Sequence, residues 1–100
     1  MTTTAKKVGP VLRGLDDRIV DAVIEAVQAD NPNAEVEVDD RGGYVRVTCD
    51  RECRLTRASL EDALDEEFTL AQLEPALSGF AGRMRYVSDD EIVWFLERED

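Results

Sequence analysis

Leu15, Ile19, Val23 and Val27 recur every fourth residue, with Val20 and Ile24 beside them, and this spacing predicts an amphipathic helix. Asp16 and Asp17 open it, where acids complement the positive end of the helix dipole. Asp30-Asn31-Pro32 closes it, because the residue before proline is pushed out of the helical region. Ahead of the helix, Val8–Arg13 (VGPVLR) is a short β-like run, and Gly9-Pro10 suits an edge strand, where a missing N–H costs no ladder bond. Behind it the period changes to two. Ala34–Asp39 alternates Val36 and Val38 against Glu35, Glu37 and Asp39, and Tyr44–Cys49 sets Val45, Val47 and Cys49 against Tyr44, Arg46 and Thr48. With a turn at Asp40–Gly43 between them, the two runs predict a hairpin with one buried face. A break at Asp50-Arg51-Glu52 leads into a third strand, Cys53–Leu55.

Thr56 can cap a helix running to about Asp65, with Leu60, Ala63 and Leu64 inward. Thr69 and Gln72 have the spacing of a capping box for a further helix carrying Leu70, Leu73 and Leu77. Pro75 falls inside that helix, so a kink or a shortened helix is expected. Gly79–Val87, a Ser88-Asp89-Asp90 turn and Glu91–Glu97 predict a closing hairpin in which Ile92, Trp94 and Leu96 share a face. The resulting order, β-α-β-β-β-α-α-β-β, is that of a two-layer α+β domain, with about three helices packed on a largely antiparallel sheet. No linker or repeat divides it. The expected organisation is a mobile polar tail over residues 1–7 and one domain over residues 8–100.

Composition narrows the function. One hundred residues bury about two thirds of their unfolded surface and leave little volume for a deep substrate pocket. The 12 basic and 23 acidic residues give a formal charge of −11. Such a surface repels nucleic-acid backbones and anionic lipid, and it suits docking on a basic protein face. The sequence contains no run of about 20 apolar residues and no secretory signal, so the cytoplasm is the expected compartment.

Catalytic equipment is missing. The chain has no histidine, which removes Ser-His-Asp and Cys-His nucleophile pairs, the commonest general acid–base and most metal sites. Cys49 and Cys53 fall short of the four ligands of a zinc site, and two reduced thiols filling small apolar positions are expected. The acids Glu61, Asp62, Asp65, Glu66 and Glu67 read as a solvated face. Arg46 projects away from the buried side of its strand, and Arg57 begins a helix, where the dipole does not favour a cation. Each is either paired with one of the abundant acids or free to contact a partner. In the second case a change to Glu would weaken docking and leave the fold intact.

Strung together, VGPVLR, Asp30-Asn31-Pro32, Tyr44-Val45-Arg46-Val47, Leu55–Glu61 (LTRASLE), Phe68–Glu74 (FTLAQLE) and Ser78–Arg83 (SGFAGR) make an ordered set over nearly the whole chain. The set resembles the effector (coupling or regulatory) protein family of soluble multicomponent diiron monooxygenases, especially the members serving toluene, phenol and alkene or isoprene oxygenases. The resemblance implies a protein that binds no cofactor and catalyses nothing. It implies docking on the hydroxylase large subunit near its diiron site, tuning of substrate and oxygen access and of regioselectivity, and coupling of NADH oxidation to hydroxylation or epoxidation. It also implies that contact residues are to be sought among Asn31, Tyr44, Arg46, Arg57, Ser78 and Phe80, in a protein that is a monomer when free. The alternative is an acidic adaptor or inhibitor domain unrelated to oxygenases. The chain departs from the family pattern in three ways. Leu64–Phe68 reads LDEEF where Leu-Gly-Arg-Pro-Phe is common, which implies a more basic partner surface. Gly43 stands where alanine is common, and Pro75 is unexpected. The short N-terminal tail is unlike the methane-oxidising subgroup.

Overall fold

The structure, a computed structural model, describes residues 6–13 and 16–96. Leu15, most of the expected tail and Glu97 of the expected closing strand lie outside the described residues. Lys6 and Lys7 are described, and the first strand begins at Lys7. The strands are β1 (Lys7–Arg13), β2 (Glu37–Asp40), β3 (Tyr44–Asp50), β4 (Glu52–Thr56), β5 (Leu77–Ala81), β6 (Arg83–Ser88) and β7 (Glu91–Phe95). The helices are α1 (Asp17–Asp30), α2 (Arg57–Leu64) and α3 (Leu70–Leu73), the last running into a 3₁₀ turn over Glu74–Ala76. The expected α+β order is present, with the run Gly79–Val87 divided in two at Gly82.

Local signals set the helix ends. The Asp16 side chain accepts the Arg18 N–H at 3.0 Å. Thr56 caps α2 through the Ser59 N–H, and Thr69 and Gln72 make both bonds of the capping box on α3. Pro75 ends α3 after one turn, so Leu77, expected on the helix, begins β5 instead. Asp65, where a helix-ending glycine is common, takes the left-handed conformation itself (φ 60°, ψ 39°), which Asp tolerates better than most side chains.

The antiparallel strands form two sheets, β2-β3-β1-β5 and β4-β7-β6. Strand β4 pairs with β7 rather than with the preceding hairpin. Strand β1 is central, contrary to the expected edge position. Its register on β3 steps from Val8↔Cys49 to Val11↔Arg46 with no bridge at Gly9 or Pro10, so that ladder is interrupted where Pro10 has no N–H to give. One core fills the space between sheets and helices. It takes Val8 and Leu12 from β1, Val45, Val47 and Cys49 from β3, Leu55 from β4, Ile92 and Trp94 from β7, and Val23, Val27, Leu60, Leu70 and Leu73 from the helices. Val38, expected beside Val36 on the buried face, is 44% exposed, because the core does not extend under the outer strand β2. Cys49 and Cys53 are free thiols, both fully buried. The Cys53 thiol is held well above its usual range, first by its hydrogen bond with Cys49 and then by burial, which makes it a poor nucleophile.

Candidate docking surface

Alternation along β1 and β3 leaves one face of the four-stranded sheet turned away from the core. Arg13 lies opposite Tyr44 and Val11 opposite Arg46, and Gly79 of β5 continues the row beyond Val11. Directly paired residues share a face, so Arg13, Val11, Tyr44 and Arg46 stand together. At the β5 edge, Ser78, Gly79 and Phe80 join Val11, Tyr44 and Arg46 around an open depression of about 350 Å³. Tyr44 is 42% and Phe80 46% exposed, a large fraction for aromatic side chains with no role in the core. The Ser78 hydroxyl lies 3.4 Å from the Val11 carbonyl oxygen, to which it donates. Four of the six sequence-predicted contact residues, Tyr44, Arg46, Ser78 and Phe80, therefore meet at one place. Arg13 belongs to the same face and was not legible from its own strand, since its neighbour is fixed by the β1–β3 register.

Asn31 and Arg57 lie elsewhere and have intramolecular partners. Asn31 ends α1, and its amide grips the backbone of β4. Its Nδ2 donates to the carbonyls of Val27 (2.7 Å) and Arg54 (2.8 Å), while its Oδ1 accepts the Arg54 N–H (3.1 Å). The side chain thus does for the edge strand β4 what a neighbouring strand would do, and blunts an edge open to mispairing. Beside it, the Asp30 carboxylate accepts the Thr56 N–H at 2.7 Å and the Ser59 hydroxyl at 2.6 Å, which ties the end of α1 to the start of α2.

Arg57 is half-buried. Its Nε donates to Glu61 Oε2 at 2.7 Å and its Nη1 lies 3.6 Å from Asp90 Oδ1. The same Glu61 oxygen accepts the Phe68 N–H at 2.8 Å. That backbone bond first, and Arg57 second, hold the Glu61 carboxyl below its usual range. Arg57→Glu would set a third acid against Glu61 and Asp90, so the expectation of an intact fold does not carry over to this position. The variant is expected to lower the thermal midpoint at neutral pH by more than Arg46→Glu, which sets an exposed acid across from Asp39 alone. Glu61 is more acidic folded than unfolded, so its contribution is fully present above the unfolded carboxylate pKa of about 4.3 and is lost as pH falls through the lower folded value. Thermal midpoints followed from pH 7 down to about pH 2.5 should show a shallower acid limb for Glu61→Gln. An unaltered limb would place the linkage elsewhere.

The acids after α2 are exposed, and one is answered within the chain. Glu66 pairs with Arg18 at 2.6 Å, so the loss of a basic residue in Leu64–Phe68 is partly offset by α1 and asks less of a partner. Among the described residues no group of three or more His, Cys, Asp or Glu side chains could hold a metal ion. No described helix is long and apolar enough to cross a membrane.

The fold is an α+β scaffold with an exposed outer sheet face, and comparison with known proteins supplies its family. The chain belongs to the MmoB/DmpM family, whose model matches residues 6–95. It is 56% identical over 88 residues to the effector subunit of an alkene monooxygenase system from Xanthobacter autotrophicus (strain ATCC BAA-1158 / Py2), covering 88% of this chain and 84% of that protein. Its fold matches a chain in a phenol hydroxylase–regulatory protein complex, with TM-score 0.72, 22% identity and coverage of 91% of this chain and 99% of the other. It also matches the regulatory protein B of soluble methane monooxygenase, with TM-score 0.66 and 20% identity, over 97% of this chain and 70% of that one. The chain is accordingly an effector, a regulatory component of a multicomponent monooxygenase and not its catalyst.

Proposed function

We propose that this effector docks on the large subunit of its hydroxylase through the outer face of the β2-β3-β1-β5 sheet, near the partner's diiron site. The observation that carries the proposal is the convergence of Tyr44, Arg46, Ser78 and Phe80 on one open depression. An exposed patch of two aromatic side chains and an arginine has the composition of an interface anchor. Asn31 and Arg57 belong to the framework of the other sheet and the helices, not to this face. The relative at 56% identity favours an alkene among the aromatic and alkene substrates considered.

Docking acts as a population shift. An effector moves a hydroxylase between conformations only by binding one of them better than the other. Covering the approach to the metal site changes the access of substrate and oxygen, tunes regioselectivity and shields reactive intermediates from water. The protein works as one domain whose first strand begins at Lys7, as a monomer in the cytoplasm that is recruited by its partner. The test is turnover by the iron-containing hydroxylase and its reductase, with and without this chain. Product formed per NADH consumed should rise as the effector is added and saturate near one effector per docking site. A ratio indifferent to the effector would overturn the reading.

A further inference from the structure

We propose that the depression between Tyr44 and Phe80 receives a carboxylate side chain of the partner, gripped jointly by Arg46 and Arg13. The inference rests on the effector reading and specifies what the docking face recognises.

In a chain with 23 acids and 12 bases an exposed arginine should find an acid nearby, and most do. Lys7, Arg18, Arg41, Arg54 and Arg57 each hold a carboxylate. Among the described residues Arg13, Arg46 and Arg85 hold none, although all three are exposed, and Arg85 lies instead over the Phe95 ring. For Arg46 the reason is visible. Asp39 stands directly across from it on β2, but both Asp39 oxygens accept from Arg41 Nε, at 3.0 and 2.9 Å. Asp39 is thus drawn toward Arg41 and not toward Arg46, and the Arg46 guanidinium remains open to a partner.

The register makes the two arginines a pair. With Arg13 opposite Tyr44 and Val11 opposite Arg46, Arg13 and Arg46 are diagonal neighbours on one face. Diagonal positions lie about 7–8 Å apart, within reach of long side chains. Arg46 lines the depression, and Arg13, on the same strand face, lines the neighbouring cleft with Asp16 and Phe68. Two guanidinium forks turned toward each other from these positions would match the geometry of one carboxylate. Next to them the depression has room for the stem that carries it. A Cβ added at Gly79 would meet no atom within 4 Å, so the floor is open, and Tyr44 and Phe80 supply apolar walls. The charge of the whole chain selects the setting of that carboxylate. At −11, the effector is repelled by an acidic surface, so the occupant is a single Asp or Glu side chain within a neutral or basic region. A lone carboxylate there fixes the docking register, because a shifted pose leaves two cations facing basic surface.

Affinity for the iron-containing hydroxylase purified from the same cells is the readout, by calorimetry with Arg13→Ala, Arg46→Ala, the double variant and Arg18→Ala. Arg18 pairs with Glu66 away from this face and serves as the control. Each single substitution at the pair should weaken binding by about tenfold to a hundredfold, as expected for loss of a hydrogen bond to a charged group. The double variant should lose less than the product of the singles, because both arginines hold one carboxylate. Arg18→Ala should bind as the parent does. Wild-type affinity in both single variants, with Phe80→Ala weakened, would overturn the carboxylate and keep the docking face. Independent losses that multiply would show two separate contacts and overturn the shared grip. Failure of the unaltered chain to bind the hydroxylase would overturn the effector reading and this inference with it.

Discussion

Gly9→Ala is expected to cost at least about 3 kcal/mol of folding stability, the range of the severe backbone and overpacking substitutions. Gly9 has φ +149°, a conformation that L side chains rarely adopt, and a Cβ there would lie 2.1 Å from the Val47 carbonyl oxygen and 3.0 Å from Thr48 Cα. Both atoms belong to the backbone of β3, so no rotamer change relieves the overlap. Strand β1 would have to lift away from β3, carrying Val8 and Leu12, both fully buried, off their partners Cys49 and Val45. Against a typical domain stability of about 5–15 kcal/mol, such a loss leaves a substantial unfolded fraction. Urea denaturation of the variant beside Gly79→Ala provides the internal comparison, since the latter meets nothing within 4 Å and should unfold near the parent midpoint. Equal midpoints for all three proteins would mean that β1 and β3 do not approach as closely as described.

The same position shows what a sequence conveys and what it does not. Gly9-Pro10 was legible as an irregularity in a strand, and the local inference was an edge. Whether a proline strand lies at an edge depends on its neighbours, and here a gap in one ladder lets it sit centrally between β3 and β5. Helix ends were legible because their chemistry is local: Asp16, Thr56, the Thr69–Gln72 box and the stop at Pro75 all act within four residues. The division into two sheets was not, because alternation tells which face of β4 is buried and not which strand lies beside it. The docking face divides along the same line. Tyr44 and Arg46 could be placed on an outer face by strand periodicity, and Ser78 and Phe80 came from family resemblance. Their meeting, and the addition of Arg13, needed the register of β1 against β3 and β5. Asn31 stood out for good reason, but no local pattern announces an amide that pairs with the backbone of Arg54 twenty-three residues away.

Trp94 supplies the second large effect, with two substitutions expected to diverge. It is fully buried in β7, between Cys53 of β4 and Met84 of β6, and is the bulkiest side chain of the core. Trp94→Ala should cost about 3–5 kcal/mol through lost transfer energy and the cavity left behind. Trp94→Phe should cost far less, for a reason beyond size. Among the described residues the indole Nε1 is a buried donor with no hydrogen-bond partner, and such a group costs about 1–3 kcal/mol in desolvation. Phenylalanine removes that donor while giving up apolar contact worth about 1–2 kcal/mol. The two effects oppose each other, and the net change is expected to stay within about 1 kcal/mol of the parent. Since this is the chain's one tryptophan, circular dichroism rather than fluorescence must follow unfolding. A Phe variant as unstable as the Ala variant would mean that the indole N–H is satisfied in solution. The Phe variant also separates fold from docking. Trp94 belongs to the other sheet, away from Tyr44 and Arg46, so the folded fraction of Trp94→Phe should bind the hydroxylase with parental affinity while the arginine variants do not.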